Sequence, residues 1–158
     1  MAGLTYEDLS DSKWKGRIAI RSSGNMYNQS LISSLIANHG EATIEAWAKD
    51  FVGNFARKPE GNDRAQIMAV ANGEADIAIA NSYYIGLMLS GKKGEEQQSA
   101  ARKVQLHFPG QEGRGAHINV SGAGLMKNAP NKSNAVKFIE FLLGEEAQSH
   151  IVLSLIHI

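Results

Sequence analysis

The stretch from Gly73 to Tyr84, Gly-Glu-Ala-Asp-Ile-Ala-Ile-Ala-Asn-Ser-Tyr-Tyr, constrains this chain more than any other. Its run Ala75 to Ala80 joins small and branched apolar residues, the make-up of a parallel-sheet strand buried on both faces. Asn81 and Ser82 then offer helix N-caps, and Ile85 to Leu89 carries a helix onward. Tyr83 and Tyr84 therefore stand where a strand ends and a helix starts, the place where open α/β sheets bind ligands. Two phenols at such a corner are either packing or ligands.

The rest of the chain repeats the alternation. Tyr6 to Leu9 with Trp14 reads as a turn leading to a short strand, Arg17 to Ile20. Arg21 to Asn25 is a polar loop, and from Tyr27 the spacing of Leu31, Leu35 and Ile36 predicts a helix stopping near Asn38-His39-Gly40. A second helix is expected over Glu41 to Phe55. A third runs from Arg64 to Asn72, capped by Asp63 and ended by Gly73. Ser90 to Gln98 reads as a polar, solvated stretch. Val104 to Phe108 and His117 to Val120 are strand candidates. A last helix starts at Asn131 or Ser133, buries Val136, Phe138, Ile139, Leu142 and Leu143, breaks at Gly144 and resumes over Glu145 to Ile151. Strands alternating with helices give an α/β fold class.

Composition narrows the function. The 158 residues suffice for one full-sized domain. Lysine plus arginine and aspartate plus glutamate both total 16, which gives no reason to expect a nucleic acid or a membrane surface as partner. No apolar run approaches the roughly 18 to 20 residues that span a bilayer. Cysteine is absent, so disulfides, thiolate metal sites and cysteine nucleophiles are excluded. His39, His107, His117, His150 and His157 show no HxH or HExxH spacing for zinc. Gly110 to Gly115 lacks the GxGxxG spacing and reads as a hinge or crossover. No GxSxG elbow and no paired acid and base stand at the tyrosine corner, which argues against a hydrolase. The opening residues lack a signal peptide's basic segment and apolar core, and Ile151 to Ile158 forms an uncapped apolar tail; the expectation is a fragment with foreign residues at its end.

Trp14-Lys15-Gly16-Arg17, Arg21-Ser22-Ser23-Gly24-Asn25-Met26-Tyr27-Asn28, and the Gly73 to Tyr84 stretch follow one another in an order that resembles a known family. Pro109 to Gly124 and Ala129-Pro130-Asn131 to Gln148 continue it. The family is the ferric-iron-binding periplasmic proteins of bacterial ABC transporters, and the resemblance covers residues 4–152. It implies a periplasmic-binding-protein-like fold of type II, with two α/β lobes closing on a hinge around iron. This chain would supply mostly the second lobe: residues 4–105 as its core, 106–128 crossing toward a missing first lobe, 129–152 as C-terminal helices, and 153–158 outside the family pattern.

The resemblance maps the family's iron-binding tyrosines onto Tyr27, Tyr83 and Tyr84. Fe³⁺ is a hard cation that prefers anionic oxygen donors, and tyrosinate serves haem iron in catalases. Binding would displace the phenol protons. Three phenolates balance the charge, and octahedral coordination leaves positions that relatives give to carbonate or a similar small anion, to water or to a first-lobe residue. Ser22, Ser23, Gly24 and Asn25 precede the helix near Tyr27, where free N–H groups and the helix dipole favour such an anion; the same four residues are also a plain cap and tight turn. Asn81 would donate through its amide, and Arg21 either joins the site or faces away.

The resemblance thus implies a periplasmic, monomeric substrate-binding component, not an enzyme, that captures Fe³⁺ with a synergistic anion. It would hand the ion to an inner-membrane permease without entering the membrane itself. The alternatives are a binding protein for a small anion or polyamine, and the effector-sensing domain of a transcription regulator.

Overall fold

The structure, a computed structural model, describes residues 3–120 and 122–150. It divides into two units, Met1–Asn119 and Val120–Ile158.

In the first unit, two 3-10 turns, Glu7–Ser10 and Ser12–Trp14, lead to strand β1 (Ile18–Ala19). Helices α1 (Met26–His39), α2 (Glu41–Gly53) and α3 (Asp63–Ala71) follow, then strand β2 (Ile77–Ala78), α4 (Ser82–Leu89) and α5 (Glu95–Lys103). β1 and β2 pair in parallel, with Ile18 opposite Ile77 and Ala19 opposite Ala78. Because successive strand side chains point to opposite faces, β1 serves two cores. Ile18 and Ile20 join Leu31 and Leu35 of α1 and Ile44, Trp47 and Phe51 of α2. Ala19 meets Ala69 of α3 and Ala75. Helices thus pack on both faces of the strand pair, as an α/β chain requires. A third cluster joins Ile67, Met88, Ala100 and Ala101 from α3, α4 and α5.

Gly40 separates α1 from α2 at φ 82° and ψ 154°, a conformation that only glycine adopts without strain. α2 stops at Gly53 rather than Phe55. The reason is Asn54, buried beyond the helix end: its Nδ2 donates to the carbonyls of Leu9 and Asp11, both at 2.9 Å, and its own carbonyl accepts from Arg17 and Ile18. Phe55 then bridges to Ile18.

Several expectations are corrected. The Asp76 to Ala80 strand contracts to Ile77–Ala78, and Ile77 to Ala80 are half-buried rather than buried on both faces. Val104 to Phe108 and His117 to Val120 form no strand; residues 104–120 find no ladder partner among the described residues, and backbone propensity alone does not hold a strand. The polar stretch after Ser90 becomes α5, whose buried face is only Ala100 and Ala101, a stripe too faint for hydropathy to reveal. Glu95 and Glu96 in its first turn and Arg102 and Lys103 in its last suit the helix dipole. The cap of α3 is Asn62, whose side chain accepts from Ala65 N–H at 3.2 Å, and not Asp63, the first helical residue. α4 begins at Ser82, so both tyrosines lie in its first turn.

Residues 106–119 are tied into the first unit: Gly110 N–H donates to the Leu4 carbonyl at 3.0 Å, and His117 N–H to the Tyr6 hydroxyl at 3.2 Å. In the second unit Asn131 stands at the N-cap position of α6 (Lys132–Leu143) without a side-chain cap hydrogen bond, Gly144 ends the helix, and residues 145–150 are helical. The apolar side of α6 is not buried as expected: Val136, Phe138, Phe141 and Leu143 are exposed, because no described element covers them. Ile151 and the tail 153–158 lie outside the described residues.

Candidate functional site

Asn25 starts α1: its side chain accepts from Tyr27 N–H at 3.0 Å, which fixes Tyr27 in the helix's first turn. Asn28, buried beside it, donates to the carbonyls of Arg21 and Ser22 and closes the loop that joins β1 to α1. Tyr83 and Tyr84 enter from β2 through Asn81, with ring centroids 4.5 Å apart and planes tilted by 34°. Tyr84 also packs against the cluster of α3, α4 and α5.

The structure brings all three sequence-predicted phenols together. Tyr27 and Tyr83 line one cavity, and the Tyr83 ring lies against that of Tyr84. Burial first, then the neighbouring Tyr27 and Tyr84 side chains, push the Tyr83 phenol well above its ordinary 10.0. The Tyr83 phenol therefore rests protonated. Among the described residues no three His, Asp or Glu side chains stand close enough to hold a metal ion.

Arg21 turns toward this site. Its Nη1 donates to Asp63 Oδ2, and its guanidinium carbon lies 5.8 Å from the Tyr27 ring centroid. Asp63 is buried to 1% exposure and also accepts the Asn81 N–H at 2.8 Å and Asn81 Nδ2 at 2.9 Å. Asn81 therefore occupies the N-cap position of α4 without capping it; one amide hydrogen is spent on Asp63, and its Oδ1 accepts from Asn119 Nδ2 at 2.6 Å. The loop Ser22 to Asn25 acts as a cap and tight turn, with Gly24 N–H donating to Ser22 Oγ at 3.2 Å and Asn25 N–H to the Ser22 carbonyl at 3.1 Å. The Ser22 and Ser23 residues are exposed, and the Ser22 hydroxyl keeps its own proton to donate.

A cavity of about 320 Å³ adjoins the phenols, lined by Tyr27, Tyr83, Asn81, Asp63, His107 and His117 among others. His117 is held there by Ser30 Oγ at 3.0 Å. A smaller apolar cavity of about 160 Å³ runs along β2 past Ile67, Ile77, Ile79 and Leu106. Asp63 and Asn119 escaped sequence reasoning as site residues. The first looked like an ordinary cap and the second like part of a strand, and only the fold brings them to Asn81.

Parallel strands covered by helices on both faces, with ligand-type side chains at the β2–α4 corner, make an α/β fold, and its solved neighbours assign that fold to the type II periplasmic-binding-protein kind. The chain belongs to the bacterial extracellular solute-binding proteins, whose family model matches residues 4–155. It is 57% identical over 147 residues to iron uptake protein A1 of Synechocystis sp., covering 93% of this chain and 41% of that protein. It is 31% identical to the major ferric iron-binding protein of Neisseria meningitidis, over 92% of this chain and 44% of the relative. Among solved structures, the Trichodesmium protein (IdiA, FutA) in complex with iron and citrate ligands superposes with a TM-score of 0.89 at 59% identity, over 92% of this chain and 46% of that one. The chain thus spans less than half the length of the relatives it matches. Those relatives are named for iron uptake and iron binding, not for catalysis.

Proposed function

We propose that the protein to which this chain belongs is the periplasmic substrate-binding component of an ABC transporter, that it captures Fe³⁺ through the phenolates of Tyr27, Tyr83 and Tyr84, and that it delivers the ion to an inner-membrane permease. The observation that carries this reading is the gathering of three tyrosines at two helix N-termini beside one cavity. A trio of phenols gives up its protons to a hard trivalent cation and matches its charge, whereas a divalent, softer ion would leave it over-charged. The iron named in the relatives supports the same cargo.

A synergistic anion such as carbonate fills remaining coordination positions, received by the Ser22 and Ser23 hydroxyls, by the loop backbone at Gly24 and Asn25, and by the second amide hydrogen of Asn81. In the lobe plan that goes with this reading, residues 4–105 form the core of the second lobe, 106–128 cross toward the first, and 129–152 return as C-terminal helices. The exposed apolar face of α6 fits that plan, since the first lobe would offer it cover.

The test is to titrate the full-length protein with Fe³⁺ in bicarbonate and watch for a visible phenolate-to-iron charge-transfer band. A coloured wild type and loss of colour in Tyr83→Phe or Tyr84→Phe is the expected result. A colourless wild type, or colour unchanged in both variants, overturns the reading.

A further inference from the structure

We propose that Asp63 is a positioning residue of the tyrosine site, its buried carboxylate fixing the Tyr27 helix and the Tyr83–Tyr84 helix to one another. The proposal rests on the reading of the three phenols as iron ligands and adds a residue that acts through others.

The geometry runs through one carboxylate. Asp63 Oδ1 holds Asn81 twice, by its backbone N–H at 2.8 Å and its Nδ2 at 2.9 Å, and Asn81 is the residue from which α4 starts. Asp63 Oδ2 holds Arg21, which sits between β1 and α1 beneath the Tyr27 ring. Arg21 is itself tied to α1, since its carbonyl accepts from Asn28 Nδ2 at 2.7 Å. The carboxylate is carried by α3, which is anchored to β1 by the buried contact of Ala69 with Ala19. Both tyrosine-bearing segments are thus referred to one fixed point.

Asp63 is free for this because it does no capping work. Asn62 accepts the Ala65 N–H of α3, so the neighbouring carboxylate turns inward and is buried to 1% exposure. A purely stabilising role explains the arrangement poorly. Desolvating a carboxylate and a guanidinium offsets most of their attraction, and an apolar pair of equal volume does about as well. What the charged pair supplies and an apolar pair does not is direction: three hydrogen bonds with fixed angles that set where α1 and α4 begin.

The experiment uses the full-length protein loaded with Fe³⁺ in bicarbonate and compares wild type, Asp63→Asn, and the apolar double variant Arg21→Met with Asp63→Leu. Three quantities are read: the charge-transfer band, the rate of iron loss to a chelator, and the Tm of the iron-free protein. Asp63→Asn turns an amide toward Arg21, and its expected effect is a shifted band and iron held roughly 10- to 100-fold less tightly, the usual cost of losing a partner that orients a ligand. The double variant is expected to recover the Tm without recovering the band or the slow release. Should Asp63→Asn fail to fold, the double variant decides alone. Band and release like wild type in Asp63→Asn, or their return together with the Tm in the double variant, would overturn the positioning role while leaving the iron reading intact. A wild type without the band overturns the iron reading itself, and this proposal with it.

Discussion

Asn28 donates its side-chain amide to the Arg21 carbonyl at 2.7 Å, and to the Ser22 carbonyl at 3.1 Å, from a buried position on the first turn of α1. This contact converts a polar loop into a rigid bracket. The Ser22 carbonyl also accepts from Asn25 N–H at 3.1 Å, whereas the Arg21 carbonyl relies on the Asn28 amide. Asn28→Leu keeps the volume and removes the donor, leaving the Arg21 carbonyl unsatisfied at a cost of about 1–3 kcal/mol. Urea unfolding of the full-length variant is expected to show a lower midpoint with an unchanged slope.

Gly40 makes a second local commitment. It serves as C-cap of α1 and N-cap of α2 at φ 82° and ψ 154°. Nothing stands within 4 Å of where a Cβ would be, so Gly40→Ala meets no clash, only backbone strain. The expected loss is about 1–3 kcal/mol, read as a lower Tm with the far-ultraviolet circular dichroism of the folded protein unchanged. A cost near zero would mean that the helix junction relaxes to another conformation.

Tyr27 separates a two-phenolate site from a three-phenolate one. Tyr27→Phe leaves the Tyr83–Tyr84 pair intact, since both belong to one turn of α4. Iron is expected to bind still, with a changed charge-transfer band, and to dissociate faster by at least the roughly 10- to 100-fold that follows loss of a ligand's supporting partner. Release comparable to wild type would remove Tyr27 from the ligand set.

What the sequence made legible follows from the range of the forces involved. The helices of Leu31 and Leu35 and of Ile44, Trp47 and Phe51 were visible because their apolar stripes face one core. The tyrosine trio was legible only through the resemblance. Periodicity places Tyr27 and Tyr83 each at the start of a helix, but nothing in their local sequence says that the two starts meet. α5 was hidden because alanine is its whole buried face. Asp63 was misassigned because one residue's difference in cap position, Asn62 for Asp63, reverses a carboxylate from solvent to interior. Both strand candidates after residue 104 had the right composition, yet a strand needs a neighbour, and that is a property of the fold.

The third tie between distant segments is pH-sensitive. Glu7 Oε1 accepts from Arg114 Nη2 at 2.6 Å and faces His39 Nε2 at 2.7 Å, joining the first 3-10 turn, the end of α1 and the Gly110 to Gly115 loop. Partial burial works to raise the Glu7 carboxyl, but hydrogen bonds from its own backbone N–H, His39 and Arg114 outweigh it and hold it below the ordinary 4.5. A carboxyl depressed by folding contributes stability that is present above its unfolded value and lost as pH falls through its folded one. Lowering the pH from just above 4.5 should therefore weaken this tie, and Glu7→Gln should flatten the acid limb of the stability curve while leaving the ion pair of Arg21 and Asp63 untouched. Parallel acid limbs in wild type and variant would show that Glu7 folds without a net change in its proton affinity. Arg114→Gln offers the converse check, since removing the guanidinium lets the carboxyl rise toward its ordinary value and shrinks the same acid-dependent loss.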